Sequence, residues 1–389
     1  MRRTAFRWLA YSAVFACALA SPAMPKGVGG SVKGATVWVP DYYGGYLLID
    51  DFNAKGKLSS KKLSLSSHAC NPNAVTVQKG QIYIVCNGDF GGLDQVLVYD
   101  ATSLSYVKTI AGIDANGADY FSGGSLVGIV FDTKGNLWTS AYNANALLRV
   151  PKANLGKSNP LIDREVIDSP DSPAGLALDN DKSFWIVGQY AGGIVLNFTD
   201  DVLNQPGSFL KGNPLNPSPR YCISNAADGC QQMSGLFNNP EGVAVFDGSV
   251  WVSNNGGNAP AATIIRLDQK GGQLSATTYG GKVNAPFACP GGMFSATGPT
   301  GTQTLWVNDE GRDVAHTDCG ATAGDQSASA GLVMEFLSDD LSDPSAPNQR
   351  EIQKLEENEN QQSRIRWDFC SATLTYRLKI GSARISGYR

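Results

Sequence analysis

Histidine is nearly absent from this 389-residue chain, which contains only His68 and His316. Two imidazoles leave little room for a Ser-His-Asp triad, and the sequence has neither a G-x-S-x-G turn nor an HExxH helix motif. The eight cysteines include no CxxC pair, which disfavours a zinc site. Phosphate-binding loops and dinucleotide-binding glycine motifs are missing as well. The familiar triad hydrolases, zinc proteases and nucleotide-binding enzymes are therefore set aside.

Charge is also scarce, since only 17% of the residues are charged and the formal net charge is −4. Without the first twenty residues, 28 basic and 35 acidic residues remain, a net charge of −7. A mildly acidic chain argues against a nucleic-acid partner. The apolar fraction of 42% and the 44 glycines favour a globular, β-rich protein with an extensive core.

Only the N-terminus contains a long apolar run, from Trp8 to Leu19, and three arginines precede it. This run is too short for a membrane span, which needs about 20 residues. The small residues of Ala18–Ala20 suit a signal peptidase, so we predict a signal peptide over residues 1–20 and export to the extracellular space or periplasm. A lipid anchor on Cys17 fits less well, because the preceding residues are a poor match to the usual lipoprotein box.

Six segments repeat one pattern, in which a short apolar strand, a turn, a strand with a central aromatic residue and a third strand follow one another. The steps between the aromatics are 45, 55, 47, 66 and 55 residues. Strand repeats of roughly 40 to 50 residues are typical of β-propellers. We therefore predict an all-β, six-bladed β-propeller over residues 21–337. The aromatic residues are Trp38, Tyr83, Trp138, Trp185, Trp251 and Trp306.

Two regions depart from the repeat. The longest insertion, roughly residues 200–239, separates the fourth and fifth repeats, and no clear inner strand precedes Trp38. After Leu337 the sequence becomes charged, and we expect residues 338–389 to form a short irregular appendage, poorly ordered or loosely docked.

Cysteine usage agrees with export, because six of the seven cysteines after residue 20 lie near one another in pairs. Nearest-neighbour pairing is one of 15 possible connectivities, and each bond would contribute on the order of 3 kcal/mol in an oxidising compartment. Cys370 is left over. The expected pairs are Cys70 with Cys86, Cys222 with Cys230, and Cys289 with Cys319.

The repeats share the phrase P-x-G-[VL]-A-[VL]-D, followed after a turn by [LV]-W-V-x-[ND] and then by I-x-R-[LF]. The best copy combines Pro240–Val245, Val250–Asn254 and Ile264–Leu267, with further copies at Pro173–Asp179 and Leu305–Asp309. This phrase resembles the NHL repeat and its relatives over roughly residues 36 to 336. The resemblance implies a six-bladed propeller. It leaves function open, since that superfamily includes binding scaffolds, gluconolactonase/paraoxonase-like calcium hydrolases and streptogramin lyases.

The resemblance also indicates which residues would lie near the mouth of a central channel. In such propellers these are the residue before the repeat's glycine and the residues shortly after the blade aromatic. The candidates for ligand binding are Asp41, Asn73, Tyr142, Gln189 and Tyr190.

Similarity to the calcium lactonases would make Glu241, Asn254 and Asp309 ligands of a Ca²⁺ ion that polarises an ester carbonyl. Similarity to the streptogramin lyases would make His316 a general base beside Glu310, again with a divalent metal. The alternative is that these polar residues cap strand ends and turns, as in repeats without enzymatic activity.

We favour this last interpretation. It predicts an exported, monomeric binding scaffold without a cofactor, whose partner is a small molecule, a glycan or a protein at one face. A metal-dependent hydrolase or lyase, with Ca²⁺ as its possible cofactor, is the alternative.

Overall fold

The computed structural model describes residues 18–20, 35–41, 45–52, 58–88, 91–166, 172–180, 182–189, 193–205, 221–225, 230–255, 263–270, 273–280, 290–297, 303–309, 332–336 and 341. Across these ranges the chain forms six β-sheets, each with its strands in sequence order. The helical elements within them that span three or more residues are a 3-10 turn at Ser66–His68 and the short helices α1 (Lys152–Leu155) and α2 (Asp200–Leu203). None of the helices described is long and apolar enough to cross a membrane.

The first three sheets use the chain up to residue 166. The first sheet contains β1 (Ala18–Ala20), β2 (Ala35–Asp41), β3 (Tyr46–Phe52) and β4 (Leu58–Ser64). The second contains β5 (Asn71–Gln78), β6 (Gln81–Asn87), β7 (Gln95–Asp100) and β8 (Tyr106–Ile110). The third contains β9 (Leu126–Phe131), β10 (Leu137–Ala141), β11 (Ala146–Val150) and β12 (Arg164–Val166).

The remaining three sheets follow the same plan. The fourth contains β13 (Pro173–Leu178), β14 (Ser183–Gly188), β15 (Ile194–Thr199), β16 (Tyr221–Ser224) and β17 (Gln231–Gln232). The fifth contains β18 (Pro240–Phe246), β19 (Ser249–Asn254), β20 (Thr263–Lys270) and β21 (Gln273–Gly280). The sixth contains β22 (Pro290–Thr297), β23 (Gln303–Asp309) and β24 (Leu332–Phe336). Neighbouring strands are antiparallel, except that β16 and β17 run parallel.

The strands that hold the repeated aromatic residues are covered on both faces. Strands β10, β14 and β19 are buried along their whole length, whereas the outer strand β8 is largely exposed. A strand enclosed between two neighbouring sheets needs apolar residues at successive positions rather than at alternate ones. This explains why apolar residues directly flank several of the aromatics and why the polar residues in these strands are mostly small, such as Thr139, Ser140 and Ser253.

The sheets pack against one another in chain order. The first strands β5, β9, β13, β18 and β22 contact each other successively, and β2 contacts β5. The core therefore lies between sheets. Trp138 packs near Phe184 of the next sheet, with ring centroids 5.9 Å apart, and Trp251 shares an apolar cluster with Met293 and Leu305. The predicted all-β, propeller-like fold is confirmed, while closure into a ring of six blades stays a prediction.

An aspartate of the repeat phrase orients the aromatic ring in two sheets. The indole Nε1 of Trp138 donates to Asp132 Oδ2 at 3.1 Å, and that of Trp185 donates to Asp179 Oδ2 at 3.0 Å. Both aspartates lie six residues before the tryptophan, across the first hairpin. The carboxylate thus satisfies a buried donor that would otherwise be left without a partner.

Glycine allows the first strands of neighbouring sheets to approach closely. A Cβ atom built on Gly175 would lie 2.7 Å from Glu241 O and 2.9 Å from Val243 N, which are backbone atoms of the next sheet. Gly128 and Gly242 occupy the same place in their own sheets, and a Cβ there would meet Ala174 O at 2.6 Å and Gly291 O at 2.5 Å. Any side chain at these positions would separate adjacent sheets.

Two serines hydrogen-bond across the same junctions. Ser140 Oγ accepts from Gly128 N and donates to Ala174 O, both at 2.7 Å. In the fifth sheet, Ser253 Oγ accepts from Gly242 N at 2.6 Å and donates to Gly291 O. Each hydroxyl therefore joins the first strand of its own sheet to the first strand of the next.

Two of the predicted disulfides are present. Cys70 is bonded to Cys86, which lies opposite Pro72 in the hairpin of β5 and β6, and Cys222 is bonded to Cys230 beside β16. The two pairings and the clamp on the second hairpin are confirmed. The third pair, Cys289 and Cys319, and the appendage from residue 342 onwards lie outside the described residues.

Two segments differ from the sequence-based expectation. Part of the insertion at residues 200–239 supplies β16, which pairs with β15 and extends the fourth sheet, so the segment is not merely a surface excursion. The first sheet also has a short strand before Trp38, because Ala18–Ala20 pairs with Ala35–Val37. That strand falls within the predicted signal peptide, of which residues 1–17 are not described.

We expect the substitution Gly175→Ala to destabilise the protein by about 3 kcal/mol, the upper range for an overpacked core. The atoms that the new methyl group would meet belong to backbone and cannot rotate away. Thermal unfolding followed by circular dichroism should show Tm lowered by roughly 5 °C or more.

The matched control is Gly156→Ala after α1, where the backbone is right-handed helical and no atom lies within 4 Å of the added Cβ. Its Tm should stay close to that of the wild-type protein. Equal Tm values for the two variants would contradict the close approach of β13 and β18.

Candidate functional site

The candidate site residues lie at one edge of their sheets. In an antiparallel hairpin the first strand begins where the second strand ends, and Pro240 is accordingly paired with Asn254, and Pro173 with Gly188. We call this edge, where first strands begin and second strands end, the mouth edge. It contains Asn73 and Glu241 near the starts of β5 and β18, and Gln189 directly after β14.

Glu241 is completely buried at the mouth edge of the fifth sheet. Its Oε2 accepts a hydrogen bond from Asn255 Nδ2 at 2.8 Å, and its Oε1 has no partner among the described residues. Desolvation raises the pKa of Glu241 to about 8, although the hydrogen bond from Asn255 opposes the shift. At neutral pH the side chain is therefore mostly an uncharged carboxylic acid, able both to donate and to accept.

Asn73 occupies the corresponding place in the second sheet and is also completely buried. Its Nδ2 donates to Leu126 O of the third sheet at 3.0 Å, while its Oδ1 has no partner within the ranges given above. The neighbouring Asn87 donates to Ser125 Oγ at 2.8 Å. One end of the Asn73 amide thus joins two sheets, and its carbonyl oxygen is an unused acceptor.

The fourth sheet contributes Gln189, whose backbone N donates to Ser172 O at 3.2 Å. Its side chain is buried, and Nε2 lacks a partner in the part of the chain that the structure describes. Tyr142, the predicted aromatic contribution of the third sheet, is buried as well, and its backbone N donates to Ser125 O at 3.0 Å.

The fifth sheet shows that the sequence analysis missed one residue. Asn254 Nδ2 donates to Thr263 Oγ1 at 3.2 Å, and its Oδ1 accepts from Asn238 N, so this side chain holds the end of β19 in place. The contact with Glu241 comes from Asn255 instead. The consecutive pair Asn254-Asn255 after the aromatic was the available signal, but a sequence does not show which of the two side chains faces the carboxyl group.

No calcium site is seen among the described residues. Ca²⁺ requires six to eight oxygen ligands. No group of three or more His, Cys, Asp or Glu side chains that could hold a metal is found among the described residues. Asp309 lies in β23 opposite Pro290, and Asp41 lies in β2 opposite Tyr46. For both residues the structure describes the backbone but not the side chain. The predicted ligands Glu241 and Asn254 are in hydrogen bonds with protein partners.

Three other candidates have no described placement. Tyr190, Glu310 and His316 lie in segments outside the described ranges. Their proposed roles in ligand binding and in base catalysis therefore remain predictions from the sequence.

No protein-family model and no curated protein matches the chain. Solved structures with a similar fold include a streptogramin B lyase, which is 13% identical over 70% of this chain and 72% of its own, with a TM-score of 0.46. They also include the calcium-binding protein regucalcin from Agrobacterium tumefaciens (15% identical over 84% and 95%, TM-score 0.47). A putative gluconolactonase is 14% identical over 72% and 86%, with a TM-score of 0.43.

Two of these proteins, the streptogramin lyase and the gluconolactonase, have names that also occur among the propellers that the repeat phrase resembles. At such identities and TM-scores the likeness concerns the fold alone, and it carries no argument about what this chain binds or does.

We expect Glu241→Gln to make the protein more stable than the wild type at pH 8 but equally stable at pH 4. Below about pH 4.5, its unperturbed pKa, the carboxyl group is protonated in both the folded and the unfolded chain. Between that value and about 8, only the unfolded chain loses the proton, so the wild-type free energy of unfolding falls by about 1.4 kcal/mol per pH unit. Glutamine does not titrate, so the free energy of unfolding of the variant does not fall in this way as the pH rises.

Thermal unfolding at pH 4, 6 and 8 measures the difference. The control Asp247→Asn changes an exposed carboxylate at the other end of β18 and should reproduce the wild-type pH profile. Parallel profiles for Glu241→Gln and wild type would show that Glu241 is ionised in the folded protein.

Proposed function

We propose that this protein is a binding propeller without catalytic activity, whose ligand site lies at the mouth edge. The observation that carries the proposal is a set of three buried, unpartnered polar atoms in three sheets: Asn73 Oδ1, Gln189 Nε2 and Glu241 Oε1. Buried polar groups in folded proteins nearly always have partners, so groups left unsatisfied within the described structure mark a place where a ligand or water supplies them.

The chemistry of these groups favours a neutral, hydroxyl-rich ligand. Glu241 is largely protonated at neutral pH, and the two amides are uncharged. Such groups offer donors and acceptors without net charge, which suits the hydroxyl groups of a sugar. The buried ring of Tyr142 at the same edge of the third sheet would add an apolar surface. We therefore infer a small neutral sugar, free or as part of a glycan, as the ligand.

Closure of the sheets into a six-bladed ring is part of the proposal. The first strands contact one another in chain order, and the equivalent positions Gly128, Gly175 and Gly242 each face the start of the first strand of the next sheet. A ring would bring the edges around one opening, as in other propellers. The unpartnered atoms of the second, fourth and fifth sheets would then surround a single ligand.

The alternative is a metal-dependent hydrolase or lyase that uses the same opening. It would require Glu241 to be ionised and to share a Ca²⁺ ion with other oxygens, such as those of Asp309 and Asp41. Burial of Glu241 favours the uncharged form and outweighs the hydrogen bond from Asn255, which favours the ionised form and already engages one carboxyl oxygen.

We further propose that the protein is exported and monomeric. The Cys70–Cys86 and Cys222–Cys230 bonds agree with an oxidising compartment. A mature chain that begins at Ser21 would lack β1, and its first sheet would begin with β2.

Calorimetric titration with neutral sugars, such as glucose, N-acetylglucosamine and cellobiose, tests the ligand class. Glu241→Gln keeps an uncharged donor and acceptor and should bind within about threefold of wild type. Glu241→Leu removes both and should weaken binding about tenfold or more, since an unpaired polar group of the ligand would be buried.

The same variants separate the binding protein from the enzyme. Replacing a carboxylate ligand with a neutral amide would weaken calcium binding, so a Ca²⁺-dependent rise in Tm that Glu241→Gln abolishes, together with turnover of aryl esters or lactones, would establish the alternative. If Glu241→Leu binds sugar as tightly as the wild type does, the ligand site does not lie at the mouth edge.

A further inference from the structure

Apart from the mouth edge, a cavity lies between the hairpins of the second and third sheets. It has a volume of about 460 Å³, within the usual size of small-molecule pockets. Three lysines line it, Lys79, Lys134 and Lys152, together with the rings of Tyr83 and Phe131. We call this cavity the basic groove.

The basic groove is separate from the mouth edge. Lys79 lies in the turn that follows β5, whereas Asn73 lies near the beginning of that strand. Six residues of extended chain separate them, a distance of about 20 Å at roughly 3.3 Å per residue. The two sites therefore occupy opposite ends of the same sheets, and occupation of one does not require the other.

The three lysines outnumber the carboxylates that line the groove. All three lysines are exposed, and no ion pair found among the described residues includes any of them. The lining has one carboxylate, Asp132, which is buried and accepts hydrogen bonds from Trp138 Nε1 and from the backbone and side chain of Asn136. The groove thus concentrates positive charge on a chain whose overall net charge is −4.

Local backbone geometry holds two of the lysines in place. Lys79 has a left-handed φ of 50° and precedes Gly80 in a tight hairpin turn. Lys152 donates its backbone N–H to Asn136 Oδ1 at 2.9 Å. Its side-chain methylenes pack over Gly135, where an added Cβ would lie 3.2 Å from Lys152 Cδ. The backbone of Lys79, and the backbone and methylene groups of Lys152, are therefore held beside the groove.

The floor of the groove is apolar, and the buried rings of Tyr83 and Phe131, which are 4% and 8% exposed, form part of it. Tyr83 and Phe131 contact each other edge to face, with centroids 4.9 Å apart, and the hydroxyl of Tyr83 donates to Gln81 Oε1 at 2.8 Å. The two rings come from different sheets, so together they span the junction between the second and third sheets. A ligand that fits must combine an anionic group with a ring able to lie along an apolar surface.

We propose that the basic groove binds a sugar esterified with a phosphate or a sulfate group. Lysine ammonium groups are strong point-charge partners of tetrahedral oxyanions. The sugar ring would lie over the apolar floor of the groove, beside Leu155 and Gly156, while the ester oxyanion would lie among Lys79, Lys134 and Lys152. Phosphate and sulfate esters share this chemistry, and the experiment distinguishes them.

Titration calorimetry with the full-length protein in 20 mM salt uses glucose 6-phosphate, glucose 6-sulfate, inorganic phosphate and glucose as probes. We expect at least one ester to bind about tenfold more tightly than inorganic phosphate, and glucose not to bind at the groove. The tighter of the two esters identifies the anion. Affinity should fall in 150 mM salt, because the lysines are exposed and salt screens them.

The double variant Lys79→Gln with Lys134→Gln should weaken binding of that ester about tenfold or more. The matched control is Lys182→Gln, an exposed lysine in the hairpin turn of the fourth sheet, which does not line the groove and should bind as wild type does. Equal losses in both variants, or no binding of either ester in 20 mM salt, would overturn the proposal. So would inorganic phosphate binding as tightly as the esters.

Failure of this proposal is distinguishable from failure of the mouth-edge site. Glu241→Leu should leave ester binding unchanged, and the double lysine variant should leave binding of neutral sugars unchanged.

Discussion

Contact between the backbones of adjacent sheets is the constraint on which this structure depends. At Gly128, Gly175 and Gly242 a carbonyl oxygen of the next sheet lies within 2.7 Å of the place where a Cβ atom would be. The same contact determines the chemistry of the site, because Glu241 immediately precedes Gly242 and its own carbonyl faces Gly175. A side chain attached at this junction is withdrawn from water. The raised pKa of Glu241 is thus a result of how closely the sheets pack.

The sheets themselves were predictable because the physical signal is repeated. Each central strand is enclosed on both faces, so Trp138, Trp185 and Trp251 stand in short strands of apolar and small residues that the sequence repeats. The disulfides at Cys70 and Cys222 were predictable because short separations along the chain favour bonding within a hairpin or loop.

The site was predictable only in part. The sequence indicated Glu241 and Asn73, but it did not show that Asn255 contacts the carboxyl group while Asn254 holds the end of its strand. Successive residues of a strand point to opposite sides, so one position decides between these roles. The uncharged state of Glu241 also depends on complete burial between sheets, which a sequence does not reveal. Strand β16 was missed because its pairing with β15 crosses a long insertion.

The two ends of the sheets differ in the kind of chemistry they present. The mouth edge has buried, uncharged amides and a protonated acid, whereas the basic groove has exposed cations beside two aromatic rings. Both are built on the same rigid strands, since β5 leads from Asn73 to the turn at Lys79. A scaffold of this kind can hold two dissimilar ligands without a change in shape, because neither site includes the other's residues.

The hydroxyl groups of Ser140 and Ser253 have a consequence for how the molecule comes apart. Each has one hydrogen-bond partner within its own sheet and another in the following sheet, so separating the third sheet from the fourth, or the fifth from the sixth, breaks the bond to Ala174 O or to Gly291 O. Partial opening is then restricted to peripheral strands such as β8, whose Tyr106 and Val107 already face solvent. Amide protons of the first strands should exchange with solvent only when the whole assembly unravels, as a single cooperative event.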